Sequence, residues 1–253
     1  MFKFFNENNL DITTEDVFSI INVTPVNVLF YQKAFIHKSV LRFLAKHEEE
    51  SLRVSYERYE FLGDSVLNLV VANFIFHKYP DKDEGFLTRI RTKLVNGKTL
   101  AYFARQINLS RFLIISKNVE NIGGRDNDRF LEDIFEAFIC SINLDLGFKY
   151  AEKFILETIN KYIIFEDLEE DNNYKDILLR RCQQSIQVNP EYELVETSGP
   201  AHKKVFTSVV LIDGKKYCQG TNKTKKESEQ IASRLTLEFL NKEGLFVISS
   251  PVI

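Results

Sequence analysis

The chain of 253 residues carries 44% hydrophobic and 27% charged side chains, an ordinary globular composition, long enough for one or two domains with a sizeable core. A net charge of −3, taken whole, argues against a nucleic-acid partner. The opening residues, Met1 to Leu10, contain no continuous apolar run, and no stretch approaches the roughly 18 apolar residues of a membrane span. The expectation is a soluble, cytoplasmic protein.

Cys140, Cys182 and Cys218 are odd in number and far apart, which suggests buried free thiols rather than a disulfide framework or a Cys-x-x-Cys metal site. The Asn-x-Ser/Thr sequons at Asn22, Asn108 and Asn222 carry no weight without a secretory signal. His37, His47 and His77 have no partner at a metal or triad spacing, so surface or satisfied core histidines are expected. Gly123-Gly124 matches no phosphate-cradling fingerprint and reads as a connecting loop.

In chain order, apolar residues recur at helical spacing at Val66, Leu67, Val70 and Val71, then at Leu94, Leu100, Phe103 and Ile107, then at Ile134, Phe135, Phe138 and Ile139, so residues 1–165 read as an all-helical domain. The acidic, polar run FEDLEEDNN that follows Ile164 suits a solvated linker, placed at 166–173. From residue 174 the pattern changes. Tyr174 to Ser185 reads as a helix, followed by β-branched and aromatic strands at Tyr192–Val195, Val205–Ile212 and Lys215–Cys218, then a helix to Leu240. Ser198-Gly199-Pro200 and Asp213-Gly214 punctuate the strands, and Thr224 with Glu227 resembles a capping box opening the last helix. This second domain spans 174–241, leaving a short tail at 242–253. Splitting the chain also resolves the charge. Residues 174–253 hold 12 Lys/Arg and 9 Asp/Glu, net +3, whereas residues 1–173 hold 21 and 27, net −6.

In YERYEFLGDSVL, Glu57, Glu60 and Asp64 fall at i, i+3 and i+7 and share one helix face. Like charges so placed repel, and the apolar residues around them, Phe61, Leu62, Val66 and Leu67, make the arrangement costly unless a cation compensates. Asp133 and Glu136 repeat the i, i+3 spacing in another apolar helix, and two such helices face to face would gather four or five carboxylates. Oxygen-only clusters suit Mg²⁺ or Mn²⁺ rather than zinc. Two such ions about 3.5–4 Å apart can activate a water and stabilise a leaving oxygen. Spacing alone leaves a solvated acidic helix face as an equal alternative.

The segment Tyr56 to Leu67 resembles the signature motif of the ribonuclease III family. The likeness continues through AFIHKS at Ala34 to Ser39, EGFLTRIRTKLVNGKTLA at Glu84 to Ala101 and LEDIFEAFICSINLDLG at Leu131 to Gly147. It implies an α-helical ribonuclease III domain in which Glu60, Asp64, Asp133 and Glu136 are the metal-binding catalytic carboxylates, Glu136 the most consequential, with Glu57 and Glu84 at supporting acidic positions. It implies Mg²⁺, with Mn²⁺ as a substitute, and a homodimer whose acidic valley holds the duplex, with Phe61 packing against the partner subunit. The rival for Phe61 is core packing within its own chain. Gly63 either admits a close backbone approach or merely weakens the helix.

The helix, three strands, helix order, with GPAHKKVF at Gly199 to Phe206 and KTKKESEQIAS at Lys223 to Ser233, resembles the small α+β double-stranded RNA-binding domain. Lys225 and Lys226 stand in the first turn of the last helix, where the macrodipole disfavours cations and an anionic partner would compensate. With Lys223 they suit phosphates. His202, Lys203 and Lys204 lie in the loop that, by resemblance, enters the minor groove and reaches 2′-hydroxyls. In the first helix, Asp176, Leu179 and Arg180 depart from the family pattern. There Gln183 can still serve, and Arg180 or Arg181 can contact phosphates without sequence preference.

The reading is an endoribonuclease that hydrolyses both strands of double-stranded RNA with a metal-activated water, by resemblance leaving 5′-phosphates and short 3′ overhangs. The alternative is a protein that sequesters duplex RNA without cutting it. A purely structural helical scaffold would leave the basic domain and the long signature unexplained.

Overall fold

The computed structural model describes residues 6–41, 54–169, 173–200 and 203–244. His47 and His202 lie outside them. The chain divides into two compact units between Leu168 and Glu169.

The first unit is helical: α1 Thr14–Ile21, α2 Val28–Lys33, α3 Glu57–Lys78, α4 Glu84–Val95, α5 Gly97–Gln106, α6 Lys117–Asn121, α7 Asp128–Leu146, α8 Phe148–Tyr162 and α9 Phe165–Glu169. Side-chain caps fix where helices begin. Asp83 Oδ1 accepts from Phe86 N–H at 2.8 Å, opening α4, and Asn96 Oδ1 accepts from Thr99 N–H at 3.1 Å, opening α5 directly after α4 ends. Asn127 does the same for α7 through Arg129 N–H. Each such cap contributes about 1 kcal/mol.

Helix α7 is the axis of this unit, with ten of its 19 residues buried. It packs against α3, α5 and α8. Phe138, fully buried, meets the rings of Tyr31, Phe35 and Phe154, so truncating it to Ala should cost about 3–5 kcal/mol. Gly63 settles its two readings in favour of close approach. A Cβ there would lie 1.8 Å from the carbonyl oxygen of Glu136, so α3 and α7 touch backbone to backbone at that point.

Two expectations are corrected. Helix α3 is long and apolar enough to cross a membrane by length and composition, although no such stretch was expected. Part of its apolarity serves the core, where Leu67, Val70 and Val71 are at most 1% exposed, while Phe61, Leu69 and Phe76 remain exposed. The acidic run after Ile164 is not wholly linker, because Phe165 to Glu169 form α9. Phe165 packs on the ring of Phe74 and lies under Lys78 Nζ at 4.3 Å. Lys93 Nζ donates to the carbonyl of Leu168 at 2.8 Å. Two apolar residues three apart, Phe165 and Leu168, are enough to lay one turn on the helical unit despite its acidic neighbours.

The second unit runs α10 Tyr174–Ile186, β1 Glu191–Ser198, β2 Val205–Ile212, β3 Lys215–Asn222 and α11 Lys225–Lys242, with an antiparallel sheet in the order β1-β2-β3. Asp213 and Gly214 both have positive φ, 50° and 72°, the backbone that a tight two-residue hairpin requires. Strands β1 and β3 outrun their apolar cores because their polar ends pair across the sheet, as Thr221 does with Thr207, hydroxyl to hydroxyl at 2.9 Å. Leu178, Cys182, Val210, Ile212, Ala232, Leu237 and Leu240 form the core. Gly220 lets α11 sit directly on the sheet, since a Cβ there would meet Ala232 N and Ser228 O at 2.3 Å.

Candidate active site and nucleic-acid interface

The backbone contact at Gly63 brings the two rows of carboxylates together. Glu60 from α3 and Glu132, Asp133 and Glu136 from α7 line an open cleft of about 660 Å³, with Asn96, Gly97, Lys98, Asp128 and Arg129 completing its wall. Glu136 is only 7% exposed. Burial, and then the charges of Asp64, Glu132, Glu60 and Asp133, push its carboxyl up to about 8. Glu60 and Asp133 are raised as well, each chiefly by burial, Glu60 next by the charge of Asp133. Arg129 partly offsets these shifts.

The residues expected at the site do not all converge. Glu57 turns away to pair with Lys38 Nζ at 2.9 Å and to accept from Ser55, and those hydrogen bonds hold its carboxyl below the usual range. Asp64 is exposed and is not among the residues lining the cleft, although its charge acts on Glu136, and it accepts from Asn68 Nδ2 at 2.6 Å. Glu84 sits in the first turn of α4 and accepts from Thr88 Oγ1 at 2.9 Å. It is not among the cleft residues of its own chain. Phe61 is 77% exposed, which excludes core packing within its own unit.

Sequence reasoning missed Glu132. It lines the cleft beside Glu136, and burial followed by the charge of Asp133 raises its carboxyl. Its carboxylate lies over Gly97, whose Cβ would fall 2.2 Å from Glu132 Oε2. The signal was available, because Glu132 and Glu136 are four apart and therefore neighbours on one helix face. His37 is a satisfied core histidine, 7% exposed, with Nδ1 accepting from Ser39 N–H. His77 lies on the surface, its Nδ1 2.8 Å from the carbonyl of Asn73. Cys140 and Cys182 are buried thiols and Cys218 is half-buried.

The donor set is all carboxylate oxygen, which fits a hard divalent cation. A carboxyl held near 8 by burial and four neighbouring acids is the electrostatic counterpart of that fit, since the site disfavours one more negative charge without a cation. Among the described residues no three His, Cys, Asp or Glu side chains are already gathered closely enough to hold an ion.

In the second unit, Lys203, Lys204, Lys223, Lys225 and Lys226 are all exposed. Lys225 and Lys226 open α11, and Lys225 Nζ also lies 4.0 Å from Glu229. Thr224 caps the same helix by accepting from Glu227 N–H. Gly199 has φ +88°, and a Cβ there would be 2.4 Å from Lys203 O. Gln183 is exposed and donates to Asn189, whereas Arg180 pairs with Asp176 one turn earlier at 3.0 Å.

A helical unit with a carboxylate-lined cleft, followed by a basic α-β-β-β-α unit, defines a nuclease carrying a double-stranded RNA-binding domain. Residues 28–163 match the family described as ribonuclease-III-like, and residues 174–240 match the double-stranded RNA binding motif. The chain is 35% identical over 216 residues to Ribonuclease 3 of Streptococcus mutans, covering 85% of this chain and 94% of that protein. It is 36% identical over 235 residues to a putative protein of Paramecium bursaria Chlorella virus 1, covering 93% and 82%. The crystal structure of the nuclease domain of ribonuclease III from Campylobacter jejuni superposes with a TM-score of 0.51 at 35% identity, covering 58% of this chain and 93% of that one. A second structure of that domain (TM-score 0.52, 35% identity, 59% and 97% covered) is described as showing structural flexibility in a region involved in dimer formation. The chain belongs to the ribonuclease III family, endoribonucleases here joined to a double-stranded RNA-binding domain.

Proposed function

We propose that the chain hydrolyses both strands of double-stranded RNA with a divalent-metal-activated water, leaving 5′-phosphates and short 3′ overhangs. The observation that carries this reading is the buried Glu136 at the contact of α3 and α7, ringed by Glu60, Asp64, Glu132 and Asp133. Glu60, Asp64, Asp133 and Glu136 would hold Mg²⁺ or Mn²⁺, which when bound supplies an activated water and stabilises the leaving oxygen. Glu57 and Glu84 are supporting acids outside the cleft. Lys98 and Arg129 on the cleft wall draw the phosphate backbone toward the acids. Gln183, Lys203, Lys204, Lys223, Lys225 and Lys226, with His202, grip the duplex, chiefly through phosphates.

The active form is a homodimer, and the location is intracellular. Phe61, Leu62, Leu69 and Phe76 leave an apolar stripe exposed along α3, the last three at the seven-residue spacing of a helix-packing seam. Phe61→Glu should convert the dimer to a monomer in light scattering coupled to size-exclusion chromatography. Incubation with labelled long duplex RNA in Mg²⁺, in Ca²⁺ and in chelator tests the chemistry. Cleavage should occur in Mg²⁺ and be lost in chelator and in Glu136→Gln. Binding without wild-type cleavage in Mg²⁺ would instead establish sequestration.

A further inference from the structure

We propose that Tyr56 is a positioning residue of the cleft, its hydroxyl fixing the orientation of the Asp133 carboxylate across the contact between α3 and α7. This inference rests on the reading of Asp133 as a cation ligand. Tyr56 occupies the N-cap of α3, where Ser, Thr, Asp or Asn would satisfy a free backbone N–H. It makes no side-chain cap bond there. Its side chain reaches the other helix instead, and Oη donates to Asp133 Oδ2 at 3.1 Å. That bond is made to Oδ2 of a residue that itself lines the cleft.

The donor itself is held on several sides. Tyr56 is 2% exposed, and its ring packs against that of His37, at 5.8 Å between centroids. Its N–H donates to Ile36 O at 2.9 Å, and its carbonyl accepts from Glu60 N–H at 2.9 Å. The same residue therefore sets the first turn of α3, which carries Glu60, and clamps the acid on α7. Groups that hydrogen-bond metal ligands from behind typically govern affinity or activity by about 10–100-fold.

The test is Tyr56→Phe in the full chain, which keeps the buried ring and removes only the donor. Mn²⁺ binding to the RNA-free protein is measured by calorimetry, beside the Mn²⁺ dependence of cleavage, duplex binding in chelator and thermal unfolding. The expected result is Mn²⁺ affinity weaker by about 10-fold or more, with cleavage recovering toward wild type at saturating Mn²⁺. Duplex binding in chelator should be unchanged. In an Asp133→Asn background the substitution should have no further effect on Mn²⁺ affinity. Affinity within twofold of wild type, or an equal further loss in the Asp133→Asn background, overturns the proposal, as does a lowered unfolding midpoint with Mn²⁺ affinity unchanged. If Glu136→Gln also retains Mn²⁺ binding and cleavage, it is the site reading that fails. If Glu136→Gln abolishes both while Tyr56→Phe behaves as wild type, only the role of Tyr56 fails.

Discussion

Cation binding to the RNA-free protein should release a proton at neutral pH, and the amount follows from the environment of Glu136. Burial and four neighbouring acids raise its carboxyl from 4.5 to about 8. At pH 7 the carboxyl is then about 0.9 protonated, and at pH 9 about 0.1. A ligand must be deprotonated to bind, so Mn²⁺ binding should release close to one proton per site at pH 7 and about a tenth of one at pH 9. Apparent affinity should climb about tenfold per pH unit below pH 8. Calorimetry in buffers of differing ionisation enthalpy reads the proton count directly. The same shift has a sign for stability. A carboxyl raised on folding stabilises the metal-free fold fully below 4.5, and that contribution is lost as pH rises through about 8. Its upper bound is about 5 kcal/mol, taking about 1.4 kcal/mol per pH unit, and Glu136→Gln should flatten the dependence. Release near zero at pH 7 and insensitive to pH would show that Glu136 is already ionised, and would refute the electrostatic argument for the cleft.

Gly97→Ala should push the Glu132 carboxylate aside at little cost to folding, because the clash is with the end of a flexible side chain. It should lower cleavage in the wild type but have little effect in Glu132→Gln if the two act together, which a double-mutant cycle measures. Gly63→Ala meets backbone instead and should lower the unfolding midpoint by roughly 6 °C or more, read by calorimetry. Replacing Lys223, Lys225 and Lys226 with Ala should weaken duplex binding and reduce its salt slope by about one for each lysine that grips a phosphate, as a titration across salt concentrations would measure. Mn²⁺ binding to the RNA-free protein should stay unchanged.

Most of the architecture was legible along the chain because it is written in local signals. Helical spacing marked α7, Asp213-Gly214 marked a hairpin, and the charge change near residue 174 separated an acidic unit from a basic one. The signature from Tyr56 to Leu67 and the second acidic segment named the family before any fold was in view. The extent of β1 and β3 was less legible, since Glu196, Thr197 and Thr221 gain their strand geometry from cross-strand pairing rather than from any apolar pattern. Helix α9 escaped for a related reason. Its acidic residues read as linker, and only the surface offered by Phe74, Lys78 and Lys93 gives Phe165 and Leu168 something to pack on.

The cleft divides in the same way. The choice of Glu60, Asp64, Asp133 and Glu136 as candidates comes from the sequence, where helical spacing puts acids on shared faces and the resemblance singles out these four. Their surroundings belong to the tertiary structure. Tertiary packing turns Glu57 toward Lys38, seats Glu132 of α7 over Gly97 of α5, and, where α3 meets α7, buries Glu136 and brings Tyr56 to Asp133. Those outcomes depend on distances between residues far apart in the chain, and for α3 and α7 they are set where the missing side chain of Gly63 lets two helix backbones touch.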